Sequence, residues 1–275
     1  MNVVTLRRKP SERYMTLWLS GLNLGEERYM PLLTPEKYIE ARQMYSYDSE
    51  ACTFNLGQTG NLQYVGCYKG IFGSTVPQSF PSGINLRKFE LICHEQFCDF
   101  TNAVKQGNVS NTHVDSLKSI CAAIVYWKMS SQGGRAIRTS SNVLAKWSHN
   151  TEMKLFNAFQ QKDISLFRIG GVRIPTATAY MRFLFPEEFG IMDSRVVGNY
   201  TQPKGITTLN IRPNDGYIVD IISNVKKYTT EYIPFLKAEV DWLNQKGATF
   251  LDKDPNGKQI KTGFRVCDVE MALFV

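Results

Sequence analysis

Apolar residues recur along this chain at helical spacing rather than in strict alternation. The pattern predicts a mostly helical protein with a small irregular or β-containing N-terminal part. A first helix is expected from Pro35 to about Tyr45, with Thr34 as N-cap, Pro35 in the first turn and Glu36 facing the positive end of the helix dipole. Lys37 stands where a capping box would carry Glu or Gln. Between Thr53 and Asn85 the glycines, serines and prolines separate short aromatic and β-branched pieces, which predicts loops and a small hairpin. Leu86 to Val104 and His113 to Met129 each place apolar residues on one helical face, the second through Val114, Leu117, Ile120, Cys121, Ile124 and Val125. The run Ser130 to Ala136 breaks this pattern, and helix resumes near Thr151, taken as an N-cap. A long stretch from Asn214 to Lys246 is again helical in period, with Pro234 a start, kink or break, and Val269 to Val275 predicts a last helix. Residues 1–110 are expected to form an N-terminal part holding specificity elements, and 111–275 the helical lobe or lobes.

Two short apolar helices joined by a glycine-containing turn occupy 163–185, and here the pattern begins to carry chemistry. Gly170-Gly171-Val172-Arg173 forms the turn, and Pro175 suits the first turn of the helix after it. The free N–H groups and dipole of such a helix start attract anions, a phosphate among them. Downstream, Asp193 lies in Phe185-Pro-Glu-Glu-Phe-Gly-Ile-Met-Asp193-Ser-Arg-Val-Val, where it also suits the role of helix N-cap.

With these residues in that order, the chain resembles the helix-hairpin-helix DNA glycosylase superfamily (HhH-GPD) as a divergent member. The likeness spans roughly Leu166 to Tyr200. The family's apolar-Pro-Gly-Val-Gly hairpin followed by a Thr-Ala or Val-Ala pair corresponds to Ile169-Gly170-Gly171-Val172-Arg173 and Thr176-Ala177. The resemblance implies a two-lobed helical fold, with Asp193 as the catalytic carboxylate in the loop of residues 186–200. It also implies DNA backbone contacts from Gly171, Val172, Arg173 and Thr176, with Lys162, Arg195 and Lys204 as further phosphate contacts. Positions 175, 179 and 183 share one helical face, which brings Ala179 and Phe183 to a base pocket or, equally, to the core. Arg173 departs from the family's second hairpin glycine, so its side chain is expected to touch the phosphate itself. Bifunctional members carry a lysine where this chain has Pro175, so a monofunctional glycosylase that leaves an abasic site is implied.

Composition and charge narrow the partners. The net charge is +7 over 275 residues, and residues 116–212 hold 13 Lys and Arg against 5 Asp and Glu. A basic excess confined to one stretch suits a surface that follows phosphates, and the resemblance makes double-stranded DNA the expected partner. The N-terminus is interrupted by Arg7, Arg8 and Lys9 before an apolar segment forms, and the longest apolar run, Ile120 to Trp127, is too short to span a bilayer. A cytoplasmic monomer with no membrane partner is expected. Six scattered cysteines read as free thiols. Cys93 and Cys98 lack the second pair that a zinc site needs, and only Cys267 follows Cys121, so neither metal nor iron–sulfur cluster is expected. The hairpin leaves room for a monovalent cation.

Two substrate roles remain open at this point. Ordinary base excision in DNA repair is one. The divergence of the first 110 residues suggests the other, removal of a hypermodified cytosine from phage DNA in antiphage defence. The competing readings are a non-catalytic helix-hairpin-helix DNA-binding protein and a helical interaction protein; Asp193 argues against the first and the basic stretch against the second.

Overall fold

A computed structural model describes residues 30–45, 86–129, 134–167, 172–212 and 216–275. These form a mostly helical protein with one small antiparallel hairpin. Helix α1 (Pro35–Met44) begins as its sequence requires, with the Thr34 hydroxyl accepting the Lys37 N–H at 3.4 Å and proline in the first turn. Helices α2 (Leu86–Gln106) and α3 (Asn111–Met129) follow, then α4 (Gly134–Ala145) and α5 (His149–Gln161).

The N-cap of α5 is Ser148, not the expected Thr151. The Ser148 hydroxyl accepts the Thr151 N–H, and the Thr151 hydroxyl accepts the Ser148 N–H in return. Thr151 thus serves as the third residue of a capping box, so the helix starts a turn earlier than its apolar pattern suggests.

Helix α3 is the centre of the core. Leu117 and every residue from Ile120 to Val125 are buried, as is Trp127, which is the pattern of a helix enclosed on all sides. It packs against α2, α4 and α6 (Ile174–Leu184). Pro175 sits in the first turn of α6 as predicted. The loop after α6 leads to a short helix α7 (Ser194–Val196), which runs on into a π-helical turn, Val197–Thr201.

Helix is expected from Asn214, but Gly216 to Ile221 are not helical. Ile211 and Ile218 pair in an antiparallel bridge, Gly216 takes φ 65°, and the Arg212 N–H donates to the Tyr217 carbonyl at 2.8 Å. The buried Asn224 side chain clamps this turn by accepting from Asn210 N–H and donating to the carbonyls of Asn210 and Val219. Helix therefore begins only at α8 (Ile222–Lys227), passes through a π-helical segment (Tyr228–Tyr232) and continues as α9 (Ile233–Gln245). The Ile233 N–H donates to the Tyr228 carbonyl, five residues back, and Pro234 follows in the first turn of α9, where it has no N–H to donate.

Strands β1 (Phe250–Lys253) and β2 (Gln259–Thr262) pair antiparallel from Phe250↔Thr262 to Lys253↔Gln259. Helix α10 (Val266–Phe274) then returns to the core and is buried from Val266 to Leu273.

A network of buried charges joins α1, α2, α6, α10 and β1. Glu90 takes Arg182 at 2.6 Å and Arg265 at 2.8 Å. Asp268 takes Arg265 at 2.7 Å and Arg42 at 3.1 Å, while Asp252 takes Arg87 at 2.6 Å. Burial would raise the carboxyl of Glu90, but Arg182 and Arg265 outweigh it and hold the pKa below the usual value. Among the described residues, the Nε and Nη1 atoms of Arg182 find no hydrogen-bond partner, and its guanidinium lies 4.4 Å from the Phe183 ring centroid and 5.6 Å from that of Trp127. The electron-rich ring faces partly replace the missing acceptors.

Candidate active site around Asp193

The loop carrying Asp193 is fixed at each of four successive residues. The Tyr228 hydroxyl donates to the Gly190 carbonyl and the Tyr232 hydroxyl to the Ile191 carbonyl, both at 2.9 Å. The Met192 N–H donates to the Thr178 hydroxyl at 3.1 Å, and that hydroxyl donates in turn to the Pro175 carbonyl. The Asp193 N–H closes a tight turn onto the Ile191 carbonyl at 3.0 Å. Three buried side chains from α6 and the π-helical segment thus set the height and angle of one carboxylate. Side chains locked in this way are what a preorganised site requires.

Asp193 itself has two partners. One oxygen accepts the Arg195 N–H at 2.9 Å, which makes Asp193 the N-cap of α7 as its sequence predicts. The other accepts from Lys128 Nζ at 3.2 Å. Burial would raise the Asp193 carboxyl, but the Lys128 ammonium and the Arg195 N–H outweigh it and keep it below the ordinary aspartate value. The side chain retains 18% of its exposure and Lys128 15%, so an ionised carboxylate borders on solvent beside an ammonium group. Lys128 lies in the last turn of α3, 65 positions from Asp193. Nothing in the local sequence of either residue marks the pair.

The backbone-contact residues fall in two groups. Arg173 is exposed at the start of α6 with extended backbone and, among the described residues, no side-chain capping bond, its guanidinium 5.5 Å from the Tyr217 ring centroid. Arg212 lies 5.0 Å from the same ring on its own turn. Two cations thus share one aromatic ring beside the N-terminus of α6; Arg212 and Tyr217 are residues that the sequence pattern did not single out. Val172 is buried and Thr176 half-buried next to them. A cleft lined by Ser165, Val172, Arg173 and Asp220 opens at this point. Gly170 and Gly171 lie outside the described residues, and with them the centre of the expected hairpin.

Lys162, Arg195 and Lys204 are each exposed. Lys162 forms an ion pair with Glu188 and lies 4.7 Å from the Phe185 ring centroid, while Arg195 lies 4.8 Å from that of Phe274. Ala179 and Phe183 have no exposed surface, and Phe183 is packed edge-on against Phe89 and Trp127 at 4.9 Å each. That face of α6 forms core, and in this structure it offers neither residue to a ligand.

Among the described residues, no group of three or more His, Cys, Asp or Glu is arranged to hold a metal ion, and no helix is long and apolar enough to cross a membrane. Cys93 is buried on α2. Cys98 is half-buried, with its sulfur 3.5 Å from His94 Nε2. No protein-family model matches the chain, and neither curated proteins nor solved structures give a significant match.

Proposed function

We propose that this chain is a DNA glycosylase that hydrolyses the bond between a flipped-out base and its sugar, with Asp193 as the catalytic carboxylate. The observation that carries the reading is the state of that side chain: ionised, at the border of solvent, and aimed by a loop pinned through Thr178, Tyr228 and Tyr232.

The chemistry follows from the charge. As the C1′–N bond breaks, the base leaves with the electron pair and positive charge develops on the sugar. A fixed carboxylate near that carbon lowers the barrier; water then adds to C1′ and gives up a proton, and the departed base takes up a proton from solvent. Extruding the nucleotide costs a few kcal/mol, least where the base is damaged or mispaired. Arg173, Arg212, Arg195 and Lys204 are exposed cations on the stretch that carries Asp193, and they suit contacts to the distorted backbone. With Pro175 at the helix position where a Schiff-base lysine would stand, the expected product is an intact strand with an abasic site. The substrate is a modified or damaged base, with hypermodified cytosine of phage DNA the narrower proposal.

The test is a panel of duplexes bearing damaged, mismatched or phage-type bases, treated with hot alkali after incubation. Alkali-dependent breaks with the natural protein are expected, and Asp193→Asn should lower their rate by about 10²-fold or more while binding survives. Salt-sensitive binding without base release on any duplex would favour the non-catalytic DNA-binding alternative. Undiminished release by the Asn variant would remove Asp193 from the mechanism.

A further inference from the structure

The two charges that meet at the candidate site are both referred to one helix, α6. Trp127, in the last turn of α3, is buried and packs edge-on against Phe183 of α6, with ring centroids 4.9 Å apart. Lys128 is the next residue, so its side chain leaves a turn that is anchored to α6. The Met192 N–H donates to the Thr178 hydroxyl at 3.1 Å, which anchors the residue before Asp193 to the same helix. The two backbones are thus set at a fixed separation, and the side chains span it with Lys128 Nζ 3.2 Å from Asp193 Oδ2.

The carboxylate is held at both oxygens. Oδ1 accepts the Arg195 N–H at 2.9 Å and Oδ2 accepts the Lys128 ammonium. The Arg195 N–H alone would leave the carboxylate free to turn about that one bond, whereas a donor on each oxygen fixes its plane. A carboxylate has about four acceptor positions, so two donors leave it able to take a water or face a cation where it borders on solvent.

We propose that Lys128 is a positioning residue for Asp193: its ammonium holds Oδ2 and sets the plane in which the carboxylate meets the cation that develops on the sugar. The hold on the carboxylate rests on the geometry of α3, α6 and the loop; its effect on base release rests on the glycosylase reading.

Burial raises the Asp193 carboxyl, and Lys128 foremost, then the Arg195 N–H, bring it below the ordinary aspartate value. Removing the ammonium therefore moves it up. The other charged or titratable groups around the carboxyl are Arg195 on α7, Glu270 on α10 and Tyr232 on the π-helical segment. All three remain when Lys128 is replaced.

The experiment compares the natural full chain with Lys128→Met, which removes the charge, and Lys128→Arg, which keeps a charged donor. The Asp193 carboxyl carbon is followed by NMR from neutral pH into acid, assigned with Asp193→Asn. Single-turnover base release is measured against pH at saturating protein, and DNA affinity by fluorescence titration at several salt concentrations. In Lys128→Met the Asp193 titration and the acid limb of base release should both move to higher pH. The saturated rate should fall by about 10–10²-fold with DNA affinity unchanged, and Lys128→Arg should recover most of it. Should Lys128→Met fail to fold by urea unfolding, Lys128→Gln takes its place. An Asp193 titration or a saturated rate that does not move in the folded variant overturns the positioning role. Weaker binding with a salt slope lower by about one and an unchanged saturated rate makes Lys128 a phosphate contact instead and also overturns it. If the Asp193 titration moves in Lys128→Met and returns in Lys128→Arg, yet no duplex loses a base, the hold on the carboxylate stands and the glycosylase reading falls.

Discussion

Replacing Gly190 by alanine probes the site through packing alone. The added methyl would lie 2.7 Å from Leu236 Cδ1 and 2.9 Å from Glu270 Cβ. Carbon atoms in contact prefer about 3.5–4.0 Å, so each neighbour must retreat by roughly 1 Å. Neither has room. Leu236 is wholly buried, and the Glu270 Cβ is fixed to the backbone of α10. Overpacking of this kind costs about 1–3 kcal/mol. A loss of about 2 kcal/mol corresponds to a fall in Tm of about 4–8 °C for a chain of this size class. The control is Gly198→Ala, where nothing lies within 4 Å of the added Cβ and the backbone is helical. Alanine there should be neutral or stabilising by up to about 1 kcal/mol. Calorimetry and urea unfolding of the two variants, with m-values checked for two-state behaviour, measure the difference. Equal Tm for Gly190→Ala and the natural protein would refute the close approach of loop and helix.

Other perturbations reach different parts of the same architecture. Tyr232→Phe leaves the buried Ile191 carbonyl without its donor and should cost about 1–2 kcal/mol by urea unfolding. Glu90→Gln removes the charge shared by Arg182 and Arg265 and should cost about 3–5 kcal/mol, enough to show as a large loss of Tm. Stability should fall as pH rises from 5 to 8, because the folded chain holds a proton on Glu270 up to about pH 8 that the unfolded chain releases near 4.5; Glu270→Gln should flatten this slope in pH-dependent unfolding. Below pH 4 the sign reverses at Asp193: its depressed pKa contributes stability above the unfolded value, and that contribution is lost as acid protonates it. Arg173→Ala should weaken DNA binding and reduce the salt slope by about one unit in filter or fluorescence titrations, and an unchanged slope would remove it from the phosphate contacts.

Local signals carried the elements whose causes are local. Thr34 and Pro35 open α1 where capping and proline geometry place them, and Pro175 and Asp193 open α6 and α7 in the same way. The periodicity read from Asn214 onward fails from Gly216 to Ile221, because the chain there is held by Asn224, whose role no repeat of apolar residues reveals. The basic stretch overstates the surface charge. Arg182 is fully buried, Lys128 is committed to Asp193, and Lys162 is paired with Glu188. Asp193 was legible through its order behind the glycine turn. Lys128 was not, because it meets Asp193 across the fold rather than through any spacing along the chain.

The buried charge network also fixes an order of events during synthesis. Arg42, Arg87, Glu90 and Arg182 leave the ribosome well before Asp252, Arg265 and Asp268, the residues that complete their pairing. Until then the nascent chain carries three arginines for one carboxylate, and enclosing unpaired guanidinium groups is strongly unfavourable. Closure of the early helices into their final arrangement is therefore expected to wait for α10, which carries Asp268 to the centre of the network. A chain cut before Val266 should leave those helices open to protease, and protection equal to that of the full chain would refute this order.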